Sequence, residues 1–431
     1  MLPRVLLVNP PIHDFTAYDF WLRPYGLLTV GGALREAAEV HLFDFLDRLH
    51  PAVAQNPRLR RDRWGRGEYP SQPAPKPRVF AGVPRRYRRF GLDRACFGEF
   101  LHSRGPFDFA LVQTVMTYWY PGVAEVIADL RAACPQTKIV LGGLYATLCP
   151  RHAESLGADR LVQGPPDESL WRWLGVEADP AAPPFWEGYP RLEAGVLKLT
   201  DGCPFRCTYC CVPGVYGGFS ARAAARPLAE LDALCRRAAR NVAFYDDALL
   251  YRPDDALLPF LAEVGRRRAD VAFHTPNALH ARFLTPELAG RMVQAGFRTF
   301  YLGFESASDA WQRSTGGKVS PDDLAQAVER LRTAGAGPDS ITVYLLLGHP
   351  RAEAQQLEAS MRFAHGLGVR LMLAEFSPIP GTPDGEACGG LVDMNEPLWH
   401  NKTVFAMTVL GRDEVSRLKH LCRRLNEALP A

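Results

Sequence analysis

What the chain lacks narrows it first. No stretch approaches the ~20 consecutive apolar residues of a membrane span, so a transmembrane helix is excluded. The opening "MLPRVLLVNPP" is too short and too proline-broken to read as a signal peptide, which predicts a cytoplasmic chain. Excess charge is missing too: 50 Lys and Arg face 47 Asp and Glu, a formal +3 over 431 residues. That balance calls for neither a nucleic acid nor an acidic membrane surface as partner, and no DNA-binding helix pair or heptad run is recognisable. A second tight cysteine cluster is also absent, and with it the paired C-x2-C sets of a structural zinc site.

What is present is ordinary globular composition, 47% hydrophobic and 23% charged, over a length that predicts two domains and a C-terminal appendage. Basic residues gather only in "RLRRDRWGR" (Arg58 to Arg66) and "PRRYRRFG" (Pro84 to Gly91), read as a solvated, partly irregular segment or an anion-binding patch. Six of the ten cysteines (Cys96, Cys134, Cys149, Cys235, Cys388, Cys422) are scattered singly, and each reads as a small buried hydrophobe. Disulfides are not expected in a cytosolic chain.

Along the chain, "RVLLVNPP" reads as a buried strand, "LLTVGGALREAAE" as a helix and "VHLFDF" as a strand again. After an excursion over residues 50–95 the alternation resumes: strand "FDFALVQ", helix "YPGVAEVIADLRAAC", strand "KIVLGG", helix "PRHAESLG", strand "RLVQG", helix "ESLWRWL". Alternating strands and helices predict an open, Rossmann-like parallel sheet over residues 1–176, whose ligands bind in loops beyond the strands' carboxyl ends. Those loops carry Asn9 and Pro10, Thr114 to Trp119, Gly142 to Thr147, and Gln163 with Gly164. The excursion reads as a gating insertion or a long wrapping loop. The proline-rich residues 177–190 read as a linker.

A second alternation fills residues 191–385: "GVLKLT", "NVAFYDD", "VAFHTPN", "TFYLGFES", "ITVYLLLGHP" and "RLMLAEFSPIPG" as strands, with helical segments between them. Six strand–helix units are too few for an eight-stranded barrel, so an open partial (β/α)6 barrel is predicted. Residues 386–431 read as a C-terminal extension, an irregular piece followed by a docking helix.

The chemistry concentrates in "LTDGCPFRCTYCCVPGVYGG" (Leu199 to Gly218), where Cys203, Cys207 and Cys210 are spaced C-x3-C-x2-C directly after a strand. Three thiolates on one loop can each ligate one iron of a four-iron, four-sulfur cluster and leave the fourth iron open for catalysis. Structural zinc is the rival, and it needs a fourth ligand; Cys211 is adjacent to Cys210, and neighbours in an extended loop rarely point at one metal. The strand ends nearby carry Asp246, Asp247, Glu305, Ser306 and Gly348, with His274 and Asn277 where a substrate would enter. A strand-end carboxylate also serves as a solvated or helix-capping group, and a lone histidine such as His274 also reads as a satisfied structural residue.

The run C-P-F-R-C-T-Y-C, with Tyr209 before the last cysteine, resembles the signature of radical S-adenosylmethionine (radical SAM) enzymes, and the resemblance runs over about residues 195–385 through "FYDDALL", "TPNALHARFL", "GFESASDAWQRSTGGK" and "FSPIPGTP". The first 170 residues or so resemble the cobalamin-binding domain that often precedes such a barrel, through "VLLVNPP", "RPYGLLTVGGALRE", "LGGLYATLCPRHAESLGAD" and "VQGPPDESLWRWL". Two departures stand out: there is no D-x-H-x-x-G motif to supply an axial histidine, and the usual acidic G-E-G-E reads Gly164-Pro165-Pro166-Asp167.

The resemblance implies a [4Fe-4S] cluster on Cys203, Cys207 and Cys210, and S-adenosylmethionine held by Tyr209, Asp246, Asp247, Glu305, Ser306 and Gly348. It further implies cobalamin near Asn9, Pro10, Thr114, Thr117, Tyr118, Trp119, Gly142, Gly143, Tyr145, Gln163 and Gly164. Tyr118 and Trp119 either cover the lower cobalt face or pack in a core. The implied reaction is reductive cleavage of S-adenosylmethionine to a 5'-deoxyadenosyl radical, for methyl transfer to an unactivated carbon of a small-molecule or peptide substrate. The implied electron donor is of the flavodoxin or ferredoxin kind. A cyclase or rearrangement enzyme, and a non-enzymatic corrinoid or redox sensor, are the alternatives. A methylthiotransferase would need a second three-cysteine set in its N-terminal domain and a C-terminal RNA-binding module; Cys96, Cys134 and Cys149 are poorly placed for the first, and no basic β-rich tail is recognisable for the second.

Overall fold

The computed structural model describes residues 2–267 and 270–429, so the expected outer domain boundaries at residues 1 and 431 lie outside the described residues. The chain divides into two compact units. The first holds residues up to Gly195, with Ala229–Ala239 and Asn395–Trp399, and the second holds the remainder.

In the first unit five strands form a parallel sheet: β1 (Arg4–Asn9), β2 (Glu39–Asp44), β3 (Phe109–Thr114), β4 (Lys138–Gly143) and β5 (Arg160–Leu161). Their spatial order is β5-β4-β3-β1-β2, the doubly wound arrangement whose winding reverses between β1 and β3. Helices α1 (Tyr25–Leu34), α2 (Arg94–Arg104), α3 (Tyr120–Ala133) and α4 (Glu168–Leu174) flank it. The four apolar residues Val5 to Val8 are all 0% exposed. Leu6 and Val8 join one core and Val5 and Leu7 the other, as expected of a strand covered on both faces. Each such side chain contributes on the order of 1.5–3 kcal/mol by burial.

The excursion has structure of its own. Arg88–Phe90 pairs antiparallel with Ile12–Asp14 on one side and with Ser71–Pro73 on the other, and Gly67–Glu68 pairs with Tyr18–Asp19. Some of its arginines are held in ion pairs: Arg60 with Glu68, Arg66 with Asp62, Arg89 with Glu125 and Arg94 with Asp129. Residues 177–190, linker-like in composition, belong to the first unit, where Asp179 N–H donates to Ala33 O and Phe185 N–H to Leu28 O across α1.

The second unit is built on six strands in sequence order: β6 (Ala194–Leu197), β7 (Asn241–Phe244), β8 (Ala272–His280), β9 (Phe297–Glu305), β10 (Ile341–Leu347) and β11 (Arg370–Glu375). The ladders from β7 to β11 are parallel. Between them run α5 (Ala225–Arg236), whose residues from Ala229 on cluster with the first unit as do Ala194 and Gly195 of β6, then α6 (Leu257–Arg267), α7 (Pro286–Gln294), α8 (Asp309–Thr315), α9 (Pro321–Thr333) and α10 (Ala354–Gly366). Local signals start these helices: Ser320 and Asp323 form a capping box ahead of α9, with Pro321 at its first position. The C-terminal extension adds α11 (Lys402–Leu410) and α12 (Arg412–Glu427). α12 buries Val415, Leu418, Leu421 and Cys422, and Asn426 exchanges two hydrogen bonds with the backbone of Leu371 in β11. Of the scattered cysteines Cys134, Cys388 and Cys422 are buried as expected, whereas Cys96 and Cys149 are half-buried and Cys235 is exposed.

Candidate functional site

The cysteine loop follows β6 and is pinched at its base by Thr200–Asp201 pairing antiparallel with Ser220–Ala221. Gly202 has φ +68°, and a Cβ there would lie 2.3 Å from Gly218 O, so glycine alone fits the pinch. Within the loop Cys210 N–H donates to Cys207 O at 3.1 Å, and Thr208 N–H donates to Thr315 O at 3.2 Å. Gly316, closing α8 at φ +125°, brings its backbone so near that a Cβ would sit 3.1 Å from Cys207 Cα. Cys211 begins the short turn Val212–Tyr216 and accepts from Gly214 and Val215 through its carbonyl, so its backbone leaves the loop's path.

Burial pushes the thiols of Cys203 and Cys207 up, and that of Cys210 up to about 12. Thiolates there are costly until a cationic centre compensates them. Among the described residues no three His, Cys, Asp or Glu side chains converge on one point as a single metal ion requires.

Tyr209 is stacked on Trp311 of α8, centroids 5.9 Å apart and planes at 23°. Glu305, at the end of β9, holds φ +62°, a left-handed conformation costly for a side chain of this kind. One of its carboxylate oxygens takes the Lys318 ammonium at 3.2 Å, while the other is buried without a partner among the described residues. Room for the ammonium comes from Gly303, whose Cβ would lie 2.7 Å from Lys318 Nζ. Burial alone would lower the lysine's pKa, but Glu305 and then Cys207 reverse that and hold it raised. Lys318 therefore stays a cation beside the cysteines. It stands in the quoted "STGGK", yet the sequence reading assigned it nothing, because a lysine following two glycines looks like a solvated turn.

Asp246 uses one oxygen to accept from Leu199 N, Thr200 N and Thr200 Oγ1, at 2.8, 2.6 and 2.7 Å, and so ties the start of the cysteine loop to the end of β7. Its other oxygen is buried and unpartnered among the described residues, and burial raises its pKa to about 6. Asp247 lies 3.8 Å from Lys198. Ser306 accepts from Ser308 N–H at the start of α8. Asn277 is exposed and donates to Tyr245 O at 3.0 Å. His274 is fully buried, its ring nitrogens engaged with Thr299 Oγ1 and Asn241 Oδ1 at 2.9 and 3.0 Å, which places it in the barrel wall. Gly348 has φ +83°, and a Cβ there would come within 2.8 Å of Ala406 Cβ, so α11 presses directly on that turn.

His280 was missed by the sequence reading. It is 6% exposed, sits 4.7 Å from both Phe205 and Phe283 by ring centroid, and neither ring nitrogen has a partner among the described residues. Burial, then Lys318 and Arg282, push its pKa down to about 3, which keeps it neutral. Unpaired buried polar atoms are rare in native proteins and mark places where a ligand or water completes the bonding. Asp246, Glu305 and His280 supply such atoms, and the thiols of the cysteine loop add a soft donor set for iron, so the residues present fit a cluster with a polar ligand beside it.

In the first unit the residues expected around cobalamin gather at the sheet's carboxyl edge. Asn9 donates to Asp44 at 2.7 Å, and Tyr189 hydroxyl donates to the same carboxylate at 2.6 Å. After β1, Pro10 and Pro11 are pressed by α3, where a Cβ on Gly122 would be 1.9 Å from Pro11 O. Thr147 hydroxyl donates to Gly143 O and accepts from Gly164 N–H, both at 2.9 Å, joining the loops that follow β4 and β5. Gly142 precedes that joint and Gln163 closes it from the other side. Thr114 ends β3 and Thr117 opens the turn carrying Tyr118 and Trp119. Those two rings belong to a buried cluster with Ile12, Leu46, Tyr69 and Phe90, and Trp119 Nε1 donates to Asp14 at 3.0 Å. Tyr145 is buried and its hydroxyl meets His152 Nδ1 at 2.6 Å.

The architecture is therefore a doubly wound parallel domain with a partial barrel carrying a three-cysteine loop at its first strand. Residues 197–364 match the sequence model of the Radical SAM superfamily, and the second unit accordingly carries a radical SAM domain. By sequence the chain is 25% identical over 234 residues to a protein of Pyrococcus horikoshii named an uncharacterized methyltransferase. The match covers 52% of this chain and 47% of that relative, so the chain spans about half its length. By fold it is similar to TsrM of Kitasatospora setae, a radical S-adenosylmethionine methyltransferase solved with cobalamin and a [4Fe-4S] cluster bound. That likeness has a TM-score of 0.68 at 16% identity, over 98% of this chain and 91% of the other. OxsB, a cobalamin-dependent S-adenosylmethionine radical enzyme solved with aqua-cobalamin and S-adenosylmethionine, matches with a TM-score of 0.58 at 13% identity, over 99% of this chain and 62% of the other. At such identities the likeness establishes the fold.

Proposed function

We propose that this chain is a cobalamin-dependent radical SAM enzyme that transfers a methyl group to an unactivated carbon of its substrate. The observation that carries the reading is the pairing of two architectures in one chain, the barrel with its buried C-x3-C-x2-C loop and the doubly wound domain, matched over almost the whole length by proteins solved with these cofactors. When bound, the cluster supplies the electron that cleaves S-adenosylmethionine to a 5'-deoxyadenosyl radical, and cobalamin supplies the methyl group.

The chain's own share is holding and shielding. Cys203, Cys207 and Cys210 hold the cluster, and Cys211 stays outside the ligand set. Glu305 and Asp246, each with a buried oxygen to spare, accept from S-adenosylmethionine, with Asp247 and Ser306 beside them. Tyr209 walls its adenine, and Gly348 shapes the turn nearby. Lys318 keeps positive charge beside the three thiolates and offsets their mutual repulsion. The loops after β1, β3, β4 and β5 seat the corrinoid, at the winding reversal where such sheets take ligands. Electrons come from a flavodoxin or ferredoxin type of donor, in a cytoplasmic setting; among the described residues no helix is long and apolar enough to cross a membrane.

The test is anaerobic reconstitution with iron, sulfide and cobalamin, gel filtration, then S-adenosylmethionine carrying a labelled methyl group under reductant. Label on retained corrinoid, with S-adenosylhomocysteine released, is the expected result. Corrinoid lost in filtration would overturn the cobalamin part. Retained corrinoid that never takes label, with 5'-deoxyadenosine formed, would point to cyclisation or rearrangement instead.

A further inference from the structure

Behind the cysteine loop lies a buried network that joins it to the turns after β10 and β11. Asp384 is 3% exposed and His349 0%. One Asp384 oxygen accepts from Thr208 Oγ1 at 2.5 Å and faces His349 Nε2 at 2.9 Å; the other accepts from Arg351 Nη2 at 2.5 Å. Asp384 also returns a bond, its own N–H donating to Thr208 O at 3.0 Å. Thr208 is thus gripped by hydroxyl and carbonyl at once, and its N–H is taken by Thr315 O.

The histidine's tautomer follows from its neighbours. Trp311 Nε1–H and Arg351 N–H both point at Nδ1, each at 3.2 Å, so Nδ1 carries no proton and Nε2–H donates to Asp384. Trp311 is in turn the ring on which Tyr209 stacks, and His349 meets Tyr209 edge-on at 6.3 Å. The side-chain polar atoms of Thr208, Asp384, His349 and Trp311 are all engaged, Thr208 Oγ1 also accepting from Arg351 Nη2 at 3.1 Å. A fully satisfied buried network of this kind rigidifies what it touches.

We propose that Asp384 and His349 are positioning residues that hold the loop from Cys207 to Cys210, and the Tyr209 ring, in ligand-ready geometry before any cofactor arrives. The idea rests on the reading of those cysteines as cluster ligands and adds to it what keeps them in place. Thr208 lies between two of the three ligands, so restraining it restrains both. The carboxylate's charge is matched by Arg351, whose side chain reaches solvent at 46% exposure.

The test compares Thr208→Val, Thr208→Ser and Asp384→Asn with the wild type. In the cofactor-free protein, amide hydrogen exchange at residues 208 and 210 is expected to rise at least tenfold in Thr208→Val and Asp384→Asn. Exchange in the β9–β10 ladder should stay unchanged, and Thr208→Ser should behave as wild type. In reconstituted protein the two disruptive variants should lose iron to a chelator at least fivefold faster. Wild-type exchange and iron loss in Thr208→Val would overturn the proposal, as would equal disturbance in Thr208→Ser and Thr208→Val. A wild type that takes up no cluster would overturn the cluster site itself, and the exchange comparison would still decide the positioning role.

Discussion

At the scale of single residues, burial sets the chemistry. Asp44 sits under the carboxyl edge of the first unit's sheet, and desolvation lifts its pKa to about 6 despite the Tyr189 hydroxyl, Arg23 and Asn9 acting the other way. The folded value lies above the unfolded ~3.9. Its contribution to stability is therefore fully present below about pH 4 and is lost as pH rises through about 6. Over that window the loss is on the order of 3 kcal/mol for this one group. Urea unfolding at a series of pH values should show stability falling between pH 4 and 6, and Asp44→Asn should flatten the slope while lowering stability at low pH. An unchanged slope would mean that Asp44 is ionised throughout. The cysteines give a second prediction. Alanine at Cys203, Cys207 or Cys210 should abolish the cluster's absorbance, whereas Cys211→Ala should keep at least half of the iron and sulfide, measured per chain after reconstitution.

At the scale of elements, α11 shows what one close contact demands. Gly348 combines φ +83° with Ala406 so near that a Cβ would meet it at 2.8 Å. Gly348→Ala should cost roughly 2–4 kcal/mol from backbone strain and overpacking together. Adding Ala406→Gly should recover the packing part and leave the strain, a partial rescue readable by chemical denaturation. Full rescue would contradict the backbone component.

This is also the scale at which the sequence is easiest to read. The five parallel strands of the first unit and the six of the second announce themselves because each is a short apolar run bounded by turn residues, and the cysteine spacing is local. Residues 88–90 look irregular because their partner, Ile12–Asp14, lies some 70 residues or more away in sequence, and residues 71–73 because they pair only onto 88–90. The same reason hides α11's hold on Gly348 and Asp384's grip on Thr208. His280 was invisible for a different cause: what marks it is the absence of partners, which only three dimensions can show. Asp246 reads as a strand-end carboxylate, but the three hydrogen bonds it accepts from Leu199 and Thr200 cannot be read from spacing.

At the scale of the molecule, each unit carries a fold with a known way of taking ligands, and in each the candidate residues, His274 and Asn277 within β8 apart, lie toward the strands' carboxyl ends. The claim on which the rest depends is that Cys203, Cys207 and Cys210 hold an iron–sulfur cluster with one iron open. The direct measurement is electron paramagnetic resonance of the anaerobically reconstituted, reduced protein with and without S-adenosylmethionine, beside Cys207→Ala. A cluster signal in the wild type that changes shape when S-adenosylmethionine is added, and that is missing from Cys207→Ala, is the predicted result. A signal indifferent to S-adenosylmethionine, or one that survives Cys207→Ala intact, would contradict it.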